Sequence, residues 1–194
     1  MTLKQILIIT FGMAATLLVA SCSQEEYPDM PDDSGARQLR ITVTDGGYAA
    51  DGKNGTRATE NGYVTEFTAG DACGLYIVRF GKIAYENVKL IATAGTDGVL
   101  SWQPEEDVIL SGGYHAEQYF LYYPYQPEMA NKVSPMVTCT DAEFFKSLIS
   151  GWQPAADQST YAQYTASDLM TAKGTATKNA ADGKLLLTFS MTHR

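Results

Sequence analysis

Leu39-Arg40-Ile41-Thr42-Val43-Thr44 alternates apolar and polar side chains one for one. Successive side chains of a strand point to opposite faces, so Leu39, Ile41 and Val43 share one face. That period predicts a half-buried strand. A glycine- and polar-rich stretch follows, Asp45 to Gly62, with the turn-forming dipeptides Gly46-Gly47, Asp51-Gly52 and Asn54-Gly55. It reads as a long loop, and it carries Thr56-Arg57-Ala58-Thr59. Beyond it, short β-type runs recur at 63–67, 74–80, 87–92, 99–102, 118–123, 135–140 and 184–191. Gly95-Thr96-Asp97-Gly98 reads as a hairpin turn before the fourth of them. Repeated short strands separated by glycine turns indicate an all-β sandwich.

One short helix interrupts this pattern. Thr140 and Glu143 have capping-box spacing, which lets hydroxyl and carboxylate satisfy free amides at a helix start. Phe144, Phe145, Leu148 and Ile149 give an apolar stripe, and Gly151 can close the helix.

Working outward to the N-terminus, an apolar run from Ile6 to Ala20 follows a head whose charged side chain is Lys4, and ends in Val19-Ala20-Ser21-Cys22. A positive start, a short apolar core and small residues at the cut site are the marks of a signal peptide. The run is shorter than the roughly 20 residues of a spanning helix. With Cys directly after Val-Ala-Ser it resembles a bacterial lipoprotein signal, cut between Ser21 and Cys22, with Cys22 carrying the acyl chains. The organisation expected is therefore a signal peptide at 1–21, an acidic tether at 22–38 and a β domain at 39–194. Proline, acids and few apolar residues between Ser23 and Asp33 cannot bury a core. An acidic stretch just after the lipid-bearing Cys also resembles a surface-export signal, which places the protein on the cell outer membrane, lipid-anchored and surface-exposed.

The chain has 194 residues and a formal net charge of −8. That balance repels nucleic acid and anionic headgroups, so neither is expected as a partner. Of three cysteines, Cys22 is assigned to lipid. Cys73 lies in an apolar stretch where a small buried thiol is ordinary, and its pairing with Cys139 stays open.

The order of motifs then carries a resemblance. After the lipobox, first strand and Thr-Arg loop come Phe67-Thr68-Ala69-Gly70-Asp71-Ala72-Cys73-Gly74-Leu75-Tyr76, Asn87-Val88-Lys89, Trp102 and Tyr122-Tyr123-Pro124-Tyr125. Asp157-Gln158-Ser159, Ser167-Asp168-Leu169-Met170 and Phe189-Ser190-Met191-Thr192-His193 complete it. This order resembles the N-terminal part of a fimbrillin-like lipoprotein, a type V pilus subunit. The resemblance implies a transthyretin-like β-sandwich that assembles with other pilin subunits by strand exchange. It implies a first strand, here Leu39 to Thr44, that can be displaced after a trypsin-like protease cuts between Arg57 and Ala58. Sockets for Leu39, Ile41 and Val43 would then receive a neighbour's strand. It also implies a second sandwich domain after His193, and because the sequence stops at Arg194 the expectation is a truncated chain or a reduced family member.

Catalytic patterns are not found. No HExxH, CxxC, GxSxG or phosphate-binding glycine loop occurs, and no calcium-loop spacing of carboxylates. An enzyme is not expected, nor a metal or a cofactor. Of the two histidines, His115 and His193, the second falls in strand alternation with Phe189 and Met191 and reads as a satisfied structural side chain. A second function class competes on the aromatics: Tyr119, Phe120, Tyr122, Tyr123, Tyr125, Trp102 and Trp152 could stack on sugar faces if exposed, giving a glycan-binding surface lipoprotein.

Overall fold

A computed structural model describes residues 39–48, 66–96, 98–114, 116–179 and 183–194. Ser21, Cys22, Arg57 and Ala58, the tether at 22–38 and the segment 49–65 lie outside the described residues.

The first strand, β1 (Leu39–Tyr48), runs four residues further than the alternation suggested. β2 (Ala72–Arg79) and β3 (Lys82–Ala94) form a hairpin through Phe80-Gly81, both at positive φ (51° and 73°), the geometry of a tight two-residue hairpin turn. β4 (Leu100–Pro104) returns along β3, and β5 (Glu117–Tyr123) pairs with the other edge of β2. β6 (Met170–Lys173) continues from β5, and β7 (Thr175–Lys178) makes a hairpin with β8 (Leu185–His193). β6 and β7 meet β8 in one unbroken register, Met170 opposite His193 and Thr175 opposite Thr188. Between them Gly174 lies against Phe189, where a Cβ would come within 2.6 Å of the ring. Every pairing in this series is antiparallel.

β1 closes the circuit. The pairings run β1-β4-β3-β2-β5-β6-β8 and back to β1, with β7 on β8. The all-β expectation thus holds as a barrel- or sandwich-like fold. Its interior is filled by alternate side chains of the strands. On β8 these are Leu185, Leu187, Phe189, Met191 and His193, which are buried while their neighbours face outward. β2 and β5 are buried on both faces, because a second core covers their outer side. There Tyr76, Phe120 and Tyr122 meet Phe144 and Phe145 of the helical segment, with Phe120 and Phe144 stacked 4.1 Å apart.

That segment departs from the single helix expected. The capping box at Thr140 and Glu143 is present in both directions, at 3.2 and 2.8 Å. But the helix breaks at Phe145 into α1 (Asp141–Phe144) and α2 (Lys146–Gly151). A further helix, α3 (Tyr161–Ser167), starts on a second capping box, Thr160 with Gln163. The strand expected at 135–140 is irregular instead. Its backbone groups bond to a buried side chain: Gln118 Nε2 donates to the Met136 and Val137 carbonyls at 2.9 and 2.8 Å, and Gln118 Oε1 accepts from Cys139 N at 3.1 Å. Cys73 and Cys139 are both buried and free, one in each core.

Candidate functional site

β1 is unusual among the described strands: it runs parallel to its neighbour β8. A parallel pair cannot be built from a hairpin, so the chain reaches β8 only by crossing the whole domain. The two edges of β1 are also unequal. One edge is laddered to β8 from Leu39 opposite Leu185 to Asp45 opposite Met191. The other edge touches β4 through one residue pair, Ile41 with Trp102.

The inner row of β1 is what the alternation predicts. Ile41 and Val43 are buried beside Trp102, Leu187 and Phe189. Leu39 is half-buried against the same core, close to Gly112. A Cβ on Gly112 would lie 2.7 Å from the Tyr119 hydroxyl and 3.2 Å from Leu39 Cδ2, so that glycine lets the loop close over the end of β1. Burying an Ile or Val side chain contributes about 1.5–3 kcal/mol. These apolar side chains fasten the strand, and its backbone is held mainly by β8.

The inner row does not end at Val43. Asp45 is the next inward position, and its side chain is 6% exposed. It meets His193, the last inward residue of β8, with Oδ1 3.3 Å from Nε2. On the other side of the ring, His193 Nδ1 lies 2.7 Å from Asp168 Oδ1, just ahead of β6. Burial alone would push the imidazole pKa down. The hydrogen bond to Asp168 and the charges of Asp168 and Asp45 outweigh it, and the pKa stands above its ordinary value. The two carboxylates favour the protonated ring more than water does around a free imidazole.

After Asp45 the strand is irregular: its register on β8 shifts before Tyr48, which lies opposite His193. Gly46 lies over β8, where a Cβ would sit 2.8 Å from the Met191 carbonyl oxygen. Gly47, at φ 83°, donates its N–H to Asp45 Oδ1 at 2.7 Å. The dipeptide that reads as a plain turn former in the sequence thus lies within β1, at the irregularity in its pairing with β8.

The structure brings together Leu39, Ile41 and Val43 of the candidate site. Cys22, Ser21, Arg57 and Ala58 belong to the undescribed residues. Sequence reasoning missed Asp45 and the partners of His193. The available signal was the period of two, which carries the inner row from Val43 to Asp45. The aromatics do not assemble a sugar platform: Trp102, Tyr119, Phe120, Tyr122 and Tyr123 are buried in the two cores. Tyr125 is only partly exposed, with Lys89 Nζ 5.5 Å from its ring centre, and Trp152 donates Nε1–H to the Ser167 carbonyl. The reading as a glycan-binding surface therefore loses the residues on which it stood.

No family model matches the chain. It is 31% identical over 194 residues to a protein of Bacteroides ovatus named as a fimbrium tip subunit, Fim1C, in a match that covers 99% of this chain and 34% of that protein. A solved fimbrial protein from B. ovatus superposes with a TM-score of 0.63 and 29% identity, over 81% of this chain and 29% of that one. A Bacteroides uniformis protein named for cell adhesion shares 19% identity at a TM-score of 0.43, over 84% of this chain and 49% of its own, too loose a likeness to weigh. The chain spans about a third of the length of the curated relative it matches.

Proposed function

We propose, for a chain related to fimbrillin-like fimbrial proteins, a role as an exported lipoprotein subunit of a surface pilus, at its tip or anchor, supporting cell adhesion. In this reading β1 is a provisional strand. Cleavage between Arg57 and Ala58 by a trypsin-like enzyme separates it from the body, and another subunit's strand takes its place. The transthyretin-like arrangement and the exchange itself come with the resemblance. The support from this chain is the state of β1: parallel, laddered on one edge, joined to its neighbours by no hairpin and anchored by side chains that fit sockets. Once β1 leaves, the β8 edge offers unpaired amides and carbonyls beside an apolar groove. Such an edge accepts an extended segment, with backbone bonds for affinity and alternate side chains for register.

Lipidation of Cys22 belongs to the same proposal, because it holds the subunit at the outer membrane until assembly. More than one acyl chain gives a stable anchor, at about 0.8 kcal/mol per buried CH₂. Fractionation of cells producing wild type and Cys22→Ala tests it. The wild type is expected with membranes and the variant in the soluble fraction, and equal partitioning would remove the anchor from the account.

A further inference from the structure

We infer that the groove beneath β1 selects its occupant by charge: a replacing strand must carry aliphatic side chains at three alternate positions, then a carboxylate at the place of Asp45, then glycine. This deepens the strand-exchange reading and rests on it.

The groove is not apolar to its end. Its floor along β8 is Leu185, Leu187, Phe189 and Met191, and then His193. The strand above matches it with Leu39, Ile41 and Val43, and then Asp45. With β1 seated the His193 ring is 4% exposed, so a strand that fills the groove leaves the ring little contact with water. Asp168 stays with the body when β1 leaves, and its 2.7 Å contact keeps Nδ1 occupied and Nε2 directed at the vacated position. A buried ring held at Nδ1 by Asp168, with Nε2 facing the vacated place, favours an acid on the incoming strand when it is protonated. A neutral aliphatic residue would bury the ring with one of its two partners lost, a change that costs affinity mostly through desolvation.

The position also sets register. A strand slipped by one residue turns its apolar row outward. A strand slipped by two keeps its apolar row inside, and the end of the groove distinguishes that error: Val43 or its equivalent would then face His193, and a side chain would fall at the place of Gly46. Glycine is demanded next, because the strand crosses the Met191 carbonyl at a distance that admits no side chain. The partner is therefore an extended segment of the form aliphatic-x-aliphatic-x-aliphatic-x-acid-Gly, from another subunit.

Refolding with competing peptides tests this. The protein is nicked with trypsin in residues 49–65, unfolded in urea and refolded by dilution with excess labelled peptide copying residues 39–48. Parallel samples receive peptides with Asp45→Asn, Asp45→Glu or Gly46→Ala. The copy is expected to be incorporated, the Asn and Ala peptides about tenfold less or worse, and the Glu peptide in between. The advantage of Asp over Asn shrinks as pH rises through the imidazole titration, since Asp45 on β1 and Asp168 ahead of β6 face a ring that is then neutral. Equal incorporation of Asp and Asn peptides overturns charge selection while strand exchange stands. No incorporation of the copy itself takes down both. A second measurement needs no exchange: in the intact chain, Asp45→Asn and His193→Gln together should lower the melting temperature little more than either alone. Fully additive losses would show that the two side chains are not a pair, and would overturn the inference.

Discussion

Tyr76 is wholly buried against Phe144, Phe145 and Tyr122, and its hydroxyl finds no hydrogen-bond partner among the described residues. Burial pushes its pKa far up, with the nearby Glu86 and Tyr125 adding to the shift. A buried donor left unsatisfied costs about 1–3 kcal/mol, so Tyr76→Phe should raise stability by about 1 kcal/mol in urea unfolding. A loss of that size would reveal a partner for the hydroxyl. His193 has a carboxylate beside each ring nitrogen, Asp168 at 2.7 Å and Asp45 at 3.3 Å. Its folded pKa lies above the unfolded value of about 6.5. Its contribution to stability is therefore complete below about pH 6.5 and is lost as pH rises through the folded value. Melting temperatures of wild type and His193→Gln, measured from pH 5.5 to 9, should converge toward the alkaline end. A gap that stays constant would mean the ring stabilises by packing alone.

At the scale of elements, β1 separates what anchors a strand from what merely lies along it. Ile41 is buried beneath the sheet and Arg40 faces solvent. Ile41→Ala should cost about 2–5 kcal/mol, and Arg40→Ala no more than about 0.5 kcal/mol. Equal effects would show that the strand is not held by its inner row. This element was legible in the sequence because alternation survives without its surroundings. The β5 strand was legible for another reason, its density of aromatics. The bent strand made of β6 and β7 was not: Thr171, Lys173, Thr175 and Thr177 carry too little apolar pattern, and its place depends on β8 opposite. The segment at 135–140 looked like a strand by composition, yet Gln118 takes up the backbone groups that a ladder would need. α3 escaped notice because its one clear signal, Thr160 three residues before Gln163, stands beside no apolar stripe. In the candidate site the apolar sockets could be read directly. The Asp45–His193 pair could not, because its two members lie at opposite ends of the sequence and meet only once β1 lies parallel to β8.

For the molecule as a whole, the seven-strand circuit is completed by β1, the first described strand, which meets β8 in parallel. The remaining described strands are bound into an antiparallel series by hairpins and by β5 lying between β2 and β6. Losing β1 opens that circuit between β4 and β8 and leaves the second core, beneath the helices, intact. The proposed exchange requires that a domain arranged in this way take a foreign strand in place of β1 and keep its fold. The most direct measurement mixes two batches of the protein, one isotopically heavy, each nicked within residues 49–65, and follows the mixture by native mass spectrometry. The account predicts hybrid molecules, a light β1 piece on a heavy body and the reverse, accumulating with time at neutral pH. Bodies that keep only their own β1 piece, however long the batches are mixed, would contradict it.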